Sequence, residues 1–225
     1  MLKQIWLSYP LNKDTPTYGN SNGFRVELDK RLAAGDSCNT SNWQLPSHIG
    51  THVDAPRHFD HSGFSVDYFE PAFWVFDAVS IVEVQISASA MIISKEMVVP
   101  YITGEPELLL IITGMGKFRQ EKVYWEANPG LSPELGQVLK ESFPSIRAVG
   151  IDAISISSWQ NRELGREAHR AFLGSSEKEK ALVLIEDMDL SQISSSAEIS
   201  RVIVMPLRVS GADGSPCTVV AEVEE

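Results

Sequence analysis

Between Ser47 and Phe59 the chain reads Ser-His-Ile-Gly-Thr-His-Val-Asp-Ala-Pro-Arg-His-Phe, which gathers three of its five histidines and one carboxylate into one short stretch. Imidazole and carboxylate are ligands of borderline to hard divalent ions, so the crowding of His48, His52, Asp54 and His58 points to a Zn²⁺ or Mn²⁺ site. His52 and Asp54 are two apart and leave the same face of an extended segment. His48 and His52 are four apart, roughly 13 Å if fully extended, too far for one ion with ligands at ~2.0–2.2 Å. If they share a metal the chain must curl between them, and Gly50 is the residue that permits it. Pro56 then favours a bend, by which His58 could return to the same pocket. A lone loop histidine is usually a solvated or hydrogen-bonded side chain; four ligand types at this spacing favour the metal.

The elements that must position these groups are mostly strands. Met1 to Leu11 reads as a first strand, with weak apolar alternation from Ile5 to Leu11, and Phe24 to Leu28 as a second, separated by a turn-rich segment containing Thr15-Pro16-Thr17-Tyr18-Gly19. Cys38 to Leu45 is polar chain leading into the histidine stretch. Phe73 to Val84, rich in aromatic and β-branched residues, is expected as one buried strand. Ser94 is an N-cap candidate for a short helix from Lys95 to Tyr101. Leu108 to Ile112 is an apolar run suited to a strand buried on both faces, and the chain after it could bring Lys117, Tyr124 or Trp125 to the pocket. Ser132-Pro133-Glu134 opens a helix that ends before Pro144. Ile146 to Ile151 is a strand, and Leu164, Ala168 and Phe172 predict a helix over 162–173 that carries His169 and stops at Gly174. A polar loop from Gly174 to Lys180 leads to the strand Ala181 to Ile185, directly followed by Glu186. A carboxylate at the end of a buried strand needs a partner, which a metal would supply. Ile199 to Val209 and Thr218 to Val223 are strands joined by a turn over 211–216. The pattern is that of a mixed α/β domain, one unit over residues 1–225 with no repeat or linker.

Composition limits what such a domain can do. A hydrophobic share of 43% and a charged share of 22% are ordinary for a soluble globular chain. The net charge of −11 argues against nucleic acid as a partner. No apolar run approaches a membrane span of ~20 residues, and the first eleven residues lack a cleavage pattern, so a cytoplasmic protein is expected. Cys38 and Cys217 make no disulfide framework. Gly114 and Gly116 lack the rest of a phosphate loop, and no Gly-x-Ser-x-Gly elbow is present.

His48, Gly50, Thr51, His52, Asp54, Pro56 and His58 match a His-x-Gly-Thr-His-x-Asp-x-Pro-x-His signature. In this the sequence resembles the cyclase family of metal-dependent hydrolases, which includes bacterial kynurenine formamidase and isatin hydrolase. The resemblance extends to Thr15-Pro16, to His169 in its His-Arg-Ala-Phe-Leu context, and to Glu186-Asp187-Met188-Asp189-Leu190-Ser191, where Met188 replaces a leucine. It implies a swivelling β/β/α fold with mixed sheets, assembled as a homodimer or higher oligomer. It implies His48, His52 and Asp54 as ligands of a first metal, with Asp54 and Glu186 bridging to a second that also takes His169, hence two Zn²⁺ per chain, or Mn²⁺. His58 would transfer protons and Tyr18 would help hold a small aromatic amide. N-formylkynurenine is the leading substrate, and isatin or another cyclic amide or lactone the alternative. A one-metal enzyme, with His169 behind the ligands, and a non-catalytic metal-binding or small-ligand-binding protein are the other readings. The polar 174–180 loop is longer than expected for a kynurenine formamidase.

Overall fold

The computed structural model describes residues 2–21, 23–87, 89–174 and 182–224. Its strands are β1 (Leu2–Trp6), β2 (Arg25–Lys30), β3 (Thr40–Gln44), β4 (His52–Asp54), β5 (Val75–Phe76), β6 (Val79–Glu83), β7 (Ile92–Ile93), β8 (Leu108–Ile112), β9 (Gly130–Leu131), β10 (Ala148–Ile151), β11 (Val183–Glu186), β12 (Ile199–Pro206) and β13 (Gly214–Glu224). The α-helices are α1 (Lys95–Val98), α2 (Lys122–Glu126), α3 (Pro133–Ser142) and α4 (Arg162–Leu173). A large mixed sheet runs β5-β12-β13-β4-β11-β10-β8-β6, with β1 added antiparallel to β13. Its two end strands, β5 and β6, are separated in sequence only by Asp77 and Ala78, so the sheet is nearly closed into a barrel. This is the mixed α/β architecture expected, and it fits the fold implied by the signature.

Burial explains why the central strands read as continuous apolar runs. On β8, Leu108 and Leu110 join one core, inside the curved sheet, while Leu109 and Ile111 join the other, beneath α3 and α4. On β11, Val183 and Ile185 face the first and Leu184 the second. A strand covered on both faces has no polar alternation to show. Ser132 caps α3 by accepting the Leu135 N–H, as its sequence predicts. Among the described residues no helix is long and apolar enough to cross a membrane.

Several expectations change, among them the first strand, which ends at Trp6 and does not run on to Leu11. The single strand over 73–84 is instead a 3₁₀ turn (Pro71–Trp74) followed by β5 and β6, because the chain must leave β12 at one end of the sheet and join β8 at the other. Cys38 to Leu45 contains β3, which pairs with β2 in an arm whose residues are all exposed, so no apolar alternation marks it. Of the turn over 211–216, Gly214 to Pro216 already belongs to β13 and pairs with β4 opposite Asp54, Val53 and His52. Ser94 makes no capping bond to α1; its hydroxyl donates to Glu96 Oε2 at 2.6 Å. The polar loop over 175–180 and the start of its strand at Ala181 lie outside the described residues.

Candidate metal centre

Three short pieces of backbone bring the ligand types together. Gly50 adopts φ +60°, which turns the chain between His48 and His52, and a Cβ there would collide with Leu11. β4 then sends His52 and Asp54 to one face, and the 3₁₀ turn over Pro56–His58 returns His58 towards them. β11 lies antiparallel beside β4 with Glu186 directly opposite His52. From the other side α4 delivers His169, whose ring stacks on Phe59 at 4.7 Å. All of these side chains, with Tyr18, line one cavity of about 320 Å³.

The distances at its floor suit a shared ion. His52 Nε2 lies 3.3 Å from Asp54 Oδ1 and 3.5 Å from Glu186 Oε2. His169 Nε2 lies 3.5 Å from both Asp54 Oδ2 and Glu186 Oε1. Two ligands each ~2.1 Å from a tetrahedral ion stand ~3.4 Å apart, so these spacings are those of atoms that converge on a cation. The outer nitrogens are already committed: His52 Nδ1–H donates to the Gly50 carbonyl at 2.8 Å and His169 Nδ1–H to the Gly165 carbonyl at 2.9 Å. That leaves each Nε2 available to an ion. Glu186 Oε1 accepts from Ile156 N–H at 2.7 Å and from the Ser155 hydroxyl at 3.1 Å, which holds the carboxylate in register.

His48 sits between two acids. Its Nδ1 is 2.7 Å from Asp54 Oδ1 and its Nε2 is 2.9 Å from Asp213 Oδ2. Asp213 also accepts from His58 Nδ1 at 3.1 Å, so one carboxylate orients both rings. Nothing in the sequence singles out Asp213, because only the fold carries it beside residues far back in the chain. Gly214 follows it for a steric reason: a Cβ there would occupy the His48 ring. Behind the floor, Asp187 has a left-handed φ of 51° and forms a two-pronged ion pair with Arg119, at 2.8 and 2.6 Å. The Tyr124 hydroxyl donates to the same carboxylate. Of Lys117, Tyr124 and Trp125, none lines the cavity, and Tyr124 alone reaches this supporting network. His61 is exposed outside it.

Charge in the cluster is set by burial against the acids. Burial lowers His48, but Asp54 and Asp213 outweigh it and raise the ring to about 9. His169 rises to about 10 in the same way, against burial, through Asp54 and Glu186. Burial pushes Asp54 upward, yet the His48 charge and the imidazole hydrogen bonds hold it well below the usual carboxylate range. His58 goes the other way: burial lowers it, as do the His48 and His169 charges, against Asp54 and Asp213. The metal-free cluster therefore holds protons that a cation must displace. Each displaced proton steepens binding, so affinity should rise by up to about a hundredfold per pH unit between pH 6 and 8 if His48 and His169 both deprotonate. Calorimetric Zn²⁺ titration at stepped pH checks this; affinity flat across that window would rule out ligation through these rings.

The chain is similar to several known proteins. Residues 5–158 match the family model for Cyclase, described as "Putative cyclase". Kynurenine formamidase from Bacillus thuringiensis (strain Al Hakam) is 28% identical over 216 residues, covering 96% of this chain and 95% of the relative. Kynurenine formamidase from Bacillus cereus (strain ATCC 10987 / NRS 248) is 29% identical over 216 residues, with the same coverage of 96% and 95%. Among solved structures, isatin hydrolase A from Labrenzia aggregata bound to benzyl benzoate superposes with a TM-score of 0.82 at 23% identity, covering 100% of this chain and 94% of that one. A protein described as a potential metal-dependent hydrolase with cyclase activity superposes at 0.76 with 19% identity and 100% coverage of both chains. With the family model spanning more than half of its length, the chain belongs to the cyclase family.

Proposed function

We propose that this chain is a metal-dependent hydrolase of a small aromatic amide, foremost an aryl formamide such as N-formylkynurenine, which it cleaves to the free amine and formate. The observation that carries the reading is the convergence of His52, His169, Asp54 and Glu186 at 3.3–3.5 Å with the outer imidazole nitrogens bound to backbone carbonyls. The full-length similarity to kynurenine formamidases supports the substrate class. His48, His52 and Asp54 are assigned to a first ion, and Asp54, His169 and Glu186 to a second, each Zn²⁺ or Mn²⁺. Such an ion supplies a Lewis acid and brings the pKa of water down to ~7.

The chain's own groups do the rest. His58 donates its Nδ1–H to Asp213, which leaves Nε2 as the basic atom. Burial keeps the ring neutral near pH 7, ready to accept a proton from the attacking water and return it to the departing aryl nitrogen. The Tyr18 ring packs the aromatic part of the substrate, and Phe59 closes the side beside His169. We further propose that residues 1–225 act as one catalytic unit in a homodimer. Supporting this, the β2–β3 arm projects Leu28 at 63% and Trp43 at 69% exposure, and an isolated two-stranded arm is marginal in water.

The test is metal analysis with hydrolysis assays on N-formylkynurenine and isatin before and after chelation. About two ions per chain and chelator-sensitive formamide turnover are expected. Turnover of isatin alone would move the substrate to a cyclic amide. Bound metal with no turnover of either would support a binding protein instead.

A further inference from the structure

The metal cavity has a cationic edge that hydrolysis of a simple amide does not use. Arg162 and Arg166 both line it, on the same helix as His169. Spacings of four and three residues put all three on one face of α4. At 1.5 Å per residue the two guanidinium-bearing positions lie ~4.5 and ~10.5 Å along the axis from His169, which is the reach of a substituted aryl group measured from the metal floor.

Two like charges four residues apart repel and cost helix stability. In a chain with 30 acidic and 19 basic residues, acids to neutralise them are plentiful. Even so, no ion pair reaches either guanidinium among the described residues, and Arg162 instead lies over the Trp159 ring at 4.6 Å. Trp159 in turn packs edge-on against Tyr18 at 5.0 Å. The Tyr18 hydroxyl, in the same cavity, is buried and has no hydrogen-bond partner among the described residues. A buried donor left unpaired costs roughly 1–3 kcal/mol, which a ligand's acceptor atom would recover. Burial also raises the Tyr18 pKa, so the phenol remains a neutral donor.

Two guanidiniums without an ion pair and one hydroxyl without a hydrogen-bond partner among the described residues, at one edge, form a site for an anion with several acceptor oxygens. Resting on the amide-hydrolase reading above, we propose that Arg162, Arg166 and Tyr18 bind a carboxylate on the non-reacting part of the substrate, so that the chain prefers aryl formamides that carry a carboxylate over those that lack one. N-formylkynurenine carries such a group on its amino-acid side chain. Isatin, a neutral cyclic amide, does not.

The experiment compares metal-loaded wild type with the R162Q/R166Q double variant and with Y18F. The substrates are N-formylkynurenine and 2′-formamidoacetophenone, which keeps the ring, ketone and formamide but lacks the carboxylate. In the wild type kcat/KM should favour N-formylkynurenine by at least about tenfold, mostly through KM. The double variant should lose most of that preference, and Y18F part of it. Kynurenine binding, followed by calorimetry, should weaken by about tenfold in the double variant at equal metal content. Equal wild-type kcat/KM for the two formamides, or a preference that survives in the double variant, overturns the carboxylate site and leaves the hydrolase reading standing. Should neither formamide be cleaved, the formamide-hydrolase reading fails while the calorimetry still decides: kynurenine bound equally by wild type and double variant overturns the site, and weakened binding supports it.

Discussion

Asp54→Asn is expected to abolish turnover, by at least about a thousandfold in kcat/KM, and to leave the purified protein with far less than one ion per chain. Asp54 is only 1% exposed, and its two oxygens face His48 and His52 on one side and His169 on the other. Among the described residues no other acidic side chain pairs with all three rings. The amide keeps the shape but loses the charge that would offset a bound cation, and its NH₂ presents hydrogens where a ligand lone pair is needed. The same substitution also removes the anion that holds His48 and His169 protonated in the metal-free state, so both should titrate nearer the ordinary imidazole range. Metal analysis and NMR titration of the histidines read the two effects separately. Stoichiometric metal in Asp54→Asn would remove Asp54 from the ligand set.

His58→Gln should be the informative contrast, with turnover down by about 10²–10⁴-fold and metal content retained. His58 stands 27% exposed at the cavity wall, tied through Nδ1 to Asp213. Glutamine can still donate to that carboxylate but cannot carry a proton to and from the reacting atoms. The kcat against pH should also lose its dependence on a group of lowered pKa. Loss of metal together with activity would make His58 a ligand instead, an arrangement in reach because one ligand atom each of Asp54, His58 and His169 lies within 4.8 Å of the others. Wild-type turnover in this variant would end its catalytic role.

How much of this was legible beforehand depended on how local each constraint is. The 48–58 stretch declares itself because the ligand spacing, the Gly50 turn and the Pro56 bend are all short-range. Leu108–Ile112 and Arg162–Leu173 are observed with the bounds their patterns predict, since complete burial of one and a one-sided apolar face on the other leave clear signals. Asp213 was hidden because its partners His48 and His58 lie 165 and 155 positions away. Gly214 to Pro216 looked like turn residues, although the glycine is there to admit a ring and the proline takes its place in a strand beside His52. Barrel closure was equally hidden: nothing near Asp77 and Ala78 says that one strand must become two. The arginine edge needed the cavity itself, as a helical pattern alone reads Arg162 and Arg166 as solvated surface.

The pairing of β4 with β11 has a consequence for how the protein comes to exist at all. His52 faces Glu186 across that pair, so the site is a property of the closed sheet and no single stretch of chain contains it. The conspicuous histidine segment, taken as a peptide, would lack both Glu186 and His169. Ion availability is therefore part of the folding equilibrium: a free ion at a hundred times its dissociation constant adds about 2.7 kcal/mol to the native state. That is a sizeable share of the ~5–15 kcal/mol that keeps a typical domain folded. A cell poor in the metal would hold less of this protein in its native form, as well as less of its activity.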